Sequence, residues 1–307
     1  MVCPICNSKI NYSADVIKNK EKPACEHYFF RNASIAFGEG YSEEVAKHRS
    51  EEIDVDFRED FEYKLANYIE RQLAKYNNNS DKKTFLSLGC GMGFDVMEFL
   101  RRNYNSFGIE TADISHEWFE YHDTHANRLI VSPEGSIPFE DNSFDLILSY
   151  VVLEHVGTIP PKEIVTPNTQ QIRFHYIKNG VKKLKRGGIM ILIAPNKFTP
   201  IDPHHGHHYI PFSNSIREII GYTPTIPFIK SNFLPSVIEL ENMLEKINQE
   251  IKIYYEFLSD RNDLFFGINY KNYLVGKTYS MLYQIVQLNL KKYFTHFIYL
   301  LIKKSDK

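Results

Sequence analysis

The sequence predicts an α/β fold: a mostly parallel sheet with helices on both faces. Three observations carry that prediction. The stretch from Thr84 to Leu100 passes from an apolar run (Phe85, Leu86, Leu88) through a glycine turn into a helical pattern. Strand-like and helix-like segments then alternate as far as Ala194, the pattern of a parallel sheet wound on both faces. Residues Ile189 to Ala194 are uninterruptedly apolar, as expected of a strand buried on both sides.

A chain of 307 residues, 43% of them hydrophobic, can bury one large core with appendages. Its 36 basic and 38 acidic residues leave a net charge of −2, which advertises neither a nucleic-acid nor a membrane surface, though it is compatible with a local basic patch. No run approaches the ~18–20 apolar residues of a membrane span, and no N-terminal apolar stretch looks like a secretion signal. The four cysteines therefore read as thiols or metal ligands, not disulfides. A soluble, cytoplasmic protein is expected.

Taken in order, residues 1–27 form a separate module. Cys3-Pro4-Ile5-Cys6 is a C-x-x-C knuckle, and Cys25-Glu26-His27 follows. Cys3, Cys6, Cys25 and His27 could hold one structural zinc tetrahedrally, as a small zinc-ribbon-like unit with no open coordination position. The alternative is a flexible terminus with reduced thiols. Residues 28–80 are a helical extension. Phe57, Phe61, Leu65, Tyr68, Ile69 and Leu73 recur at three- and four-residue steps and mark one amphipathic helix, ending at the Asn77-Asn78-Asn79-Ser80-Asp81 loop signal. This helix is expected to pack on the sheet through its apolar stripe, with roofing of a ligand pocket as the alternative role.

The main domain spans residues 81–307. Phe85–Leu88 is its first strand and Gly89-Cys90-Gly91-Met92-Gly93 the turn, where bare backbone can approach a nucleotide-like ligand. Phe107–Glu110 is the second strand. Glu110 lies 21 residues after Gly89, the position from which a Rossmann-like unit offers a carboxylate to ribose hydroxyls; Asp113 is its rival. Arg128–Ser132 reads as strand three and Phe144–Ser149 as strand four. A helical segment through Ile172, Tyr176, Ile177, Val181 and Leu184 is expected to stop at Gly187-Gly188, with Ile189–Ala194 as strand five. A helix near Glu239–Gln249 and strands over Ile251–Leu258 and Phe294–Ile302 complete a seven-stranded sheet. Residues from about 197 to 235, rich in Pro and aromatics, exceed an ordinary connection and read as a substrate-binding insertion or lid.

G-x-G-x-G after a strand resembles motif I of the class I S-adenosylmethionine (SAM) methyltransferases. Ile137-Pro138-Phe139-Glu140-Asp141-Asn142-Ser143-Phe144-Asp145 resembles that family's passage into strand four, and Leu153-Glu154-His155-Val156 its continuation. Leu184 through Gly188 to Pro195-Asn196 resembles its entry to and exit from strand five. The resemblance covers residues 81–307, with its motifs concentrated in 85–196. It implies a seventh strand antiparallel to the fifth. It also implies SAM held by Gly89, Cys90, Gly91, Met92 and Gly93, with Glu110 on the ribose, Ile137 beside the adenine, and Ser149 and Tyr150 on the same edge. The family often places an acid on the adenine amino group where Pro133 stands here; Glu134, one residue on, is carried over for that role.

The implied reaction is methyl transfer to a hydroxyl or amine of a small-molecule acceptor, such as a sugar, lipid or glycan precursor. After strand five, His204, His205, His207 and His208 share a loop with Asp202. His204 or His205 is the candidate general base; metal binding and plain pocket-shaping are the alternatives. A second reading is an RNA base methyltransferase with an N-terminal zinc module, against which the slightly negative charge argues. A reading of another class is a non-catalytic SAM-binding or scaffold protein. A nicotinamide dehydrogenase is disfavoured because Phe94 stands where the dinucleotide fingerprint wants Gly or Ala.

Overall fold

The computed structural model describes residues 55–76, 83–111, 118, 121–132, 136–159, 164–198, 201–202, 223–224, 234–247, 251–255 and 297–305. In chain order these give α1 (Val55–Tyr76), β1 (Thr84–Leu88), α2 (Phe94–Arg101), β2 (Asn105–Glu110), β3 (Leu129–Val131), β4 (Phe144–Tyr150), α3 (Thr169–Lys183), β5 (Leu184–Pro195), α4 (Val237–Glu245), β6 (Ile251–Tyr255) and β7 (Phe297–Lys304). A 3-10 turn at Asp123–Arg128 precedes β3, and two short antiparallel ladders stand apart from the main sheet.

The seven strands lie in the order β6-β7-β5-β4-β1-β2-β3. Strands β1 to β5 are parallel, whereas β7 runs antiparallel to β5 and β6 antiparallel to β7. Strand order reverses between β1 and β4, and ligands of open α/β sheets settle at such a reversal, beyond the carboxyl ends of the strands.

Side chains alternate between two cores because successive residues of a strand face opposite ways. Phe85, Leu146, Leu148, Ile191 and Tyr299 join Leu65 and Ile69 of α1 and Phe99 of α2 on one face. Leu86, Ile147, Met190, Leu192 and Leu300 join Ile177 and Val181 of α3 and Leu240 of α4 on the other. Burial on both faces is the reason the central strands read as unbroken apolar runs. Among the described residues no helix is long and apolar enough to cross a membrane.

One expectation about an element boundary is corrected. Gly187-Gly188 does not stop α3, which ends at Lys183 with Leu184 already extended (φ −66°, ψ 137°). Leu184 pairs with Phe144 and Ile189 with Leu146, so Lys185–Gly188 bulge out of β5. A Cβ on Gly188 would lie 2.9 Å from the Lys185 carbonyl and 3.0 Å from that of Phe144. The glycines serve this close backbone approach inside the strand, a bulge and not a helix end.

Helix α4 starts with a reciprocal cap: the Ser236 hydroxyl accepts the Glu239 N–H (3.2 Å) and the Glu239 carboxylate accepts the Ser236 N–H (2.8 Å). Ser236→Ala removes half of this box and should cost about 1 kcal/mol. Urea unfolding will show a lower midpoint with an unchanged slope.

Candidate active site

The turn joining β1 to α2 is tied down along its length. Gly89, Gly91 and Gly93 have φ of 76°, 50° and 79°, a region open to glycine at little cost. A Cβ on Gly89 would fall 2.4 Å from a Val152 methyl, and one on Gly93 2.6 Å from Leu129. At Gly91 no atom of the described residues lies within 4 Å of that position. Packing therefore dictates the outer glycines, and among the described residues the middle one faces open space where a ligand can meet bare backbone.

The turn's hydrogen bonds can be followed group by group. The N–H groups of Gly89 and Cys90 donate to the Ile109 carbonyl (2.7 and 3.0 Å), and Gly93 N–H donates to the Cys90 carbonyl (2.8 Å). Gly91 N–H donates to Glu110 Oε2 at 2.9 Å. The other Glu110 oxygen accepts the N–H and hydroxyl of Thr111 (2.7 and 3.2 Å). The carboxylate ending β2 thus stands against the middle of the glycine turn, the juxtaposition that the spacing of Gly89 and Glu110 predicts.

Two residues missed at the sequence level complete the turn. Trp118 Nε1 donates to the Gly91 carbonyl at 2.8 Å, and His122 Nε2 lies 2.6 Å from the Met92 carbonyl. A carbonyl can only accept, so that ring nitrogen carries the proton. Phe94 packs edge-on against His122 (5.2 Å) and tilted against Tyr121 (6.0 Å). The residue that breaks the dinucleotide fingerprint therefore anchors this aromatic segment. Available signals were the chain's single tryptophan, eight residues after Glu110, and the aromatics that follow it.

Asp95, also missed, is a buried acid in the first turn of α2. It accepts the Val96 N–H at 2.8 Å and is hydrogen-bonded by Ser87. Burial pushes its pKa up to about 6, against the pull of those hydrogen bonds, and the nearby Glu110 charge adds to the rise. Burial, followed by the charges of Glu110 and Asp95, raises the Cys90 thiol well above its ordinary value, so it stays protonated and is not a nucleophile. Burial lowers His122 despite its bond to Met92, keeping the ring neutral.

The neighbouring strand ends contribute as follows. Ser132 N–H donates to the Glu110 carbonyl (2.8 Å) and its hydroxyl to the Ser136 carbonyl (3.0 Å), which ties the start of the loop leading to the half-buried Ile137. Ser149 is fully buried, with its hydroxyl 2.9 Å from that of Tyr176. Tyr150 packs 5.6 Å from the ring of Phe61, so α1 reaches the carboxyl end of β4. Val151, just beyond, has φ 53°, which strains a β-branched residue at the strand-order reversal. Leu153, Glu154 and Val156 are buried while His155 is exposed. The predicted Glu134, His204, His205, Cys3, Cys6, Cys25 and His27, and the rival Asp113, lie outside the described residues. Among the described residues no cluster of His, Cys, Asp and Glu could hold a metal ion.

A seven-stranded sheet with one inserted antiparallel strand, a glycine turn at the reversal and an acid ending β2 are the arrangement that the resemblance to class I SAM-dependent methyltransferases implies. Residues 86–192 match the methyltransferase-domain family model. An uncharacterised protein of Methanocaldococcus jannaschii is 28% identical over 178 residues, 55% of this chain and 66% of that protein. The ubiquinone biosynthesis O-methyltransferase of Rickettsia akari is 27% identical over 136 residues, 44% of this chain and 49% of that protein. The chain thus spans about half to two thirds of the length of these curated relatives. A solved SAM-dependent methyltransferase from Clostridium acetobutylicum superposes with a TM-score of 0.47 at 13% identity, covering 79% of this chain and 91% of that one.

The turn fits the cofactor on its own geometry. The open face at Gly91 admits a ligand against the backbone, and the Glu110 carboxylate beside it suits a ribose diol.

Proposed function

We propose that the protein transfers a methyl group from SAM to a hydroxyl or amine of a small-molecule acceptor such as a sugar, lipid or glycan precursor. The observation that carries the cofactor half of this reading is the 2.9 Å contact from Gly91 N–H to Glu110, which sets a carboxylate over an open glycine turn. Similarity to an O-methyltransferase of ubiquinone biosynthesis supports the acceptor half.

SAM supplies a methyl on a sulfonium already activated for in-line displacement. What the chain has to do is align donor and acceptor, which can lower a barrier by ~7–11 kcal/mol. Glu110 and the turn orient the donor, and the two carboxyl groups of Glu110 and Asp95 beside the turn favour a cationic one. Ile137 is assigned to the adenine side, together with Glu134. The aromatic pair of Phe61 and Tyr150 walls the carboxyl end of β4, where an acceptor would enter. Removal of the acceptor proton is assigned to His204 or His205, a step contributing ~10²–10⁴-fold.

Calorimetric titration with S-adenosylhomocysteine (SAH) and with NAD tests the cofactor; SAH will bind and NAD will not. Transfer of a radiolabelled methyl from SAM to hydroxyl and amine acceptors, with bulk tRNA and rRNA in parallel, tests the substrate class. Binding of NAD in preference to SAH, or label entering RNA alone, would overturn the proposal.

A further inference from the structure

We propose that Trp118 and His122 form an aromatic latch that holds the glycine turn in the shape that receives the cofactor, so that both are positioning residues for methyl transfer. The inference rests on the SAM reading of the turn and adds to it two residues from the connection between β2 and β3.

Three left-handed glycines give the turn freedom that its own sequence does not restrain. In a trans peptide the C=O and N–H point in opposite directions. Fixing the Gly91 carbonyl on Trp118 therefore fixes the direction of the Met92 N–H. Fixing the Met92 carbonyl on His122 likewise sets the Gly93 N–H, which closes the turn onto the Cys90 carbonyl at 2.8 Å. Glu110 holds the peptide before these from the other side, through the Gly91 N–H. Successive peptide planes of the turn are thus held by groups from β2 and from the segment just after it.

Trp118 is about 99% buried and cannot swing away without opening the core (relative exposure 1%). His122 is wedged by Phe94, the first residue of α2. Preorganisation of this kind spares the cofactor the cost of ordering the turn as it binds.

The test compares full-length wild type with Trp118→Phe, His122→Phe and His122→Gln, using SAH as the probe. Phenylalanine at 122 keeps a ring against Phe94 and loses the donor. Glutamine keeps an N–H donor at nearly the same reach. His122→Phe and Trp118→Phe should each weaken SAH binding about five- to tenfold, and His122→Gln should restore it to within about twofold of wild type. In turnover, KM for SAM will rise while kcat with saturating SAM holds. Trp118 is the chain's sole tryptophan, so its emission reports the turn directly: SAH will shift it in wild type and His122→Gln, and less in His122→Phe.

Equal SAH affinity in wild type and both phenylalanine variants would overturn the latch while leaving the cofactor reading intact. So would a His122→Gln variant as weak as His122→Phe, since ring packing alone would then explain the loss. Failure of wild type to bind SAH at all would overturn both. If His122→Phe does not fold, Trp118→Phe and His122→Gln still decide the matter.

Discussion

Glu110→Ala will reduce SAH affinity by about a hundredfold while leaving the protein folded. Two losses add in that variant. The Gly91 N–H loses the acceptor that holds its peptide, so the turn is no longer preorganised and SAH must order it on binding. The charged acceptor for the ribose hydroxyls disappears as well, and hydrogen bonds to charged groups contribute about 1.5–3 kcal/mol. Part of the first cost is recovered by water at the open turn, so the sum is set at about a hundredfold. The carboxylate holds no position in either apolar core, and thermal unfolding of the unliganded variant should stay close to wild type. Glu110→Asp shortens the reach and will also bind poorly, because the charge alone does not place an oxygen at the Gly91 N–H. Calorimetry with SAH on the two variants decides the point. Wild-type affinity in Glu110→Ala would remove this residue from the site and leave Asp113, its sequence rival, to be examined.

The sheet and the place of Glu110 beside the glycine turn were legible for different reasons. Strands β1, β4 and β5 announce themselves because burial on both faces demands apolar residues without alternation, as Ile189–Ala194 shows. Glu110 was legible because one βαβ unit fixes the distance between a glycine turn and the end of the next strand. Gly187-Gly188 misled because a glycine pair after a helix satisfies a C-cap rule, and only the register against Phe144 and Leu146 reveals a bulge. Trp118 and His122 left no spacing signal: they reach the turn through tertiary packing, and aromatic residues in a connection usually read as core. Asp95 hides for a related cause. An acid near a helix start looks like a dipole partner, and its burial and its hydrogen bond with Ser87, eight residues earlier on a strand, arise only in the fold.

That buried acid gives the second large effect, and its sign follows from linkage. Asp95 has an ordinary value of 3.8, which burial, its largest influence, lifts to about 6 in the folded protein. Between those values the folded chain binds more protons than the unfolded one, so this group's contribution to stability falls as pH rises from about 4 to 6 and then stays level. Asparagine does not ionise and escapes the fall. Asp95→Asn should therefore match wild type near pH 4 and exceed it by about 2 kcal/mol above pH 7, read by urea unfolding at each pH. A carboxylate kept at that cost beside Glu110 makes sense if the turn must attract positive charge. SAM carries a sulfonium that SAH lacks, so the variant will lose affinity for SAM by about tenfold and for SAH by clearly less. A stability difference that does not change across pH 4–8 would refute the ionisation argument. Equal losses for SAM and SAH would refute the role in recognising the sulfonium, and would leave Asp95 as a purely structural acid beneath the turn.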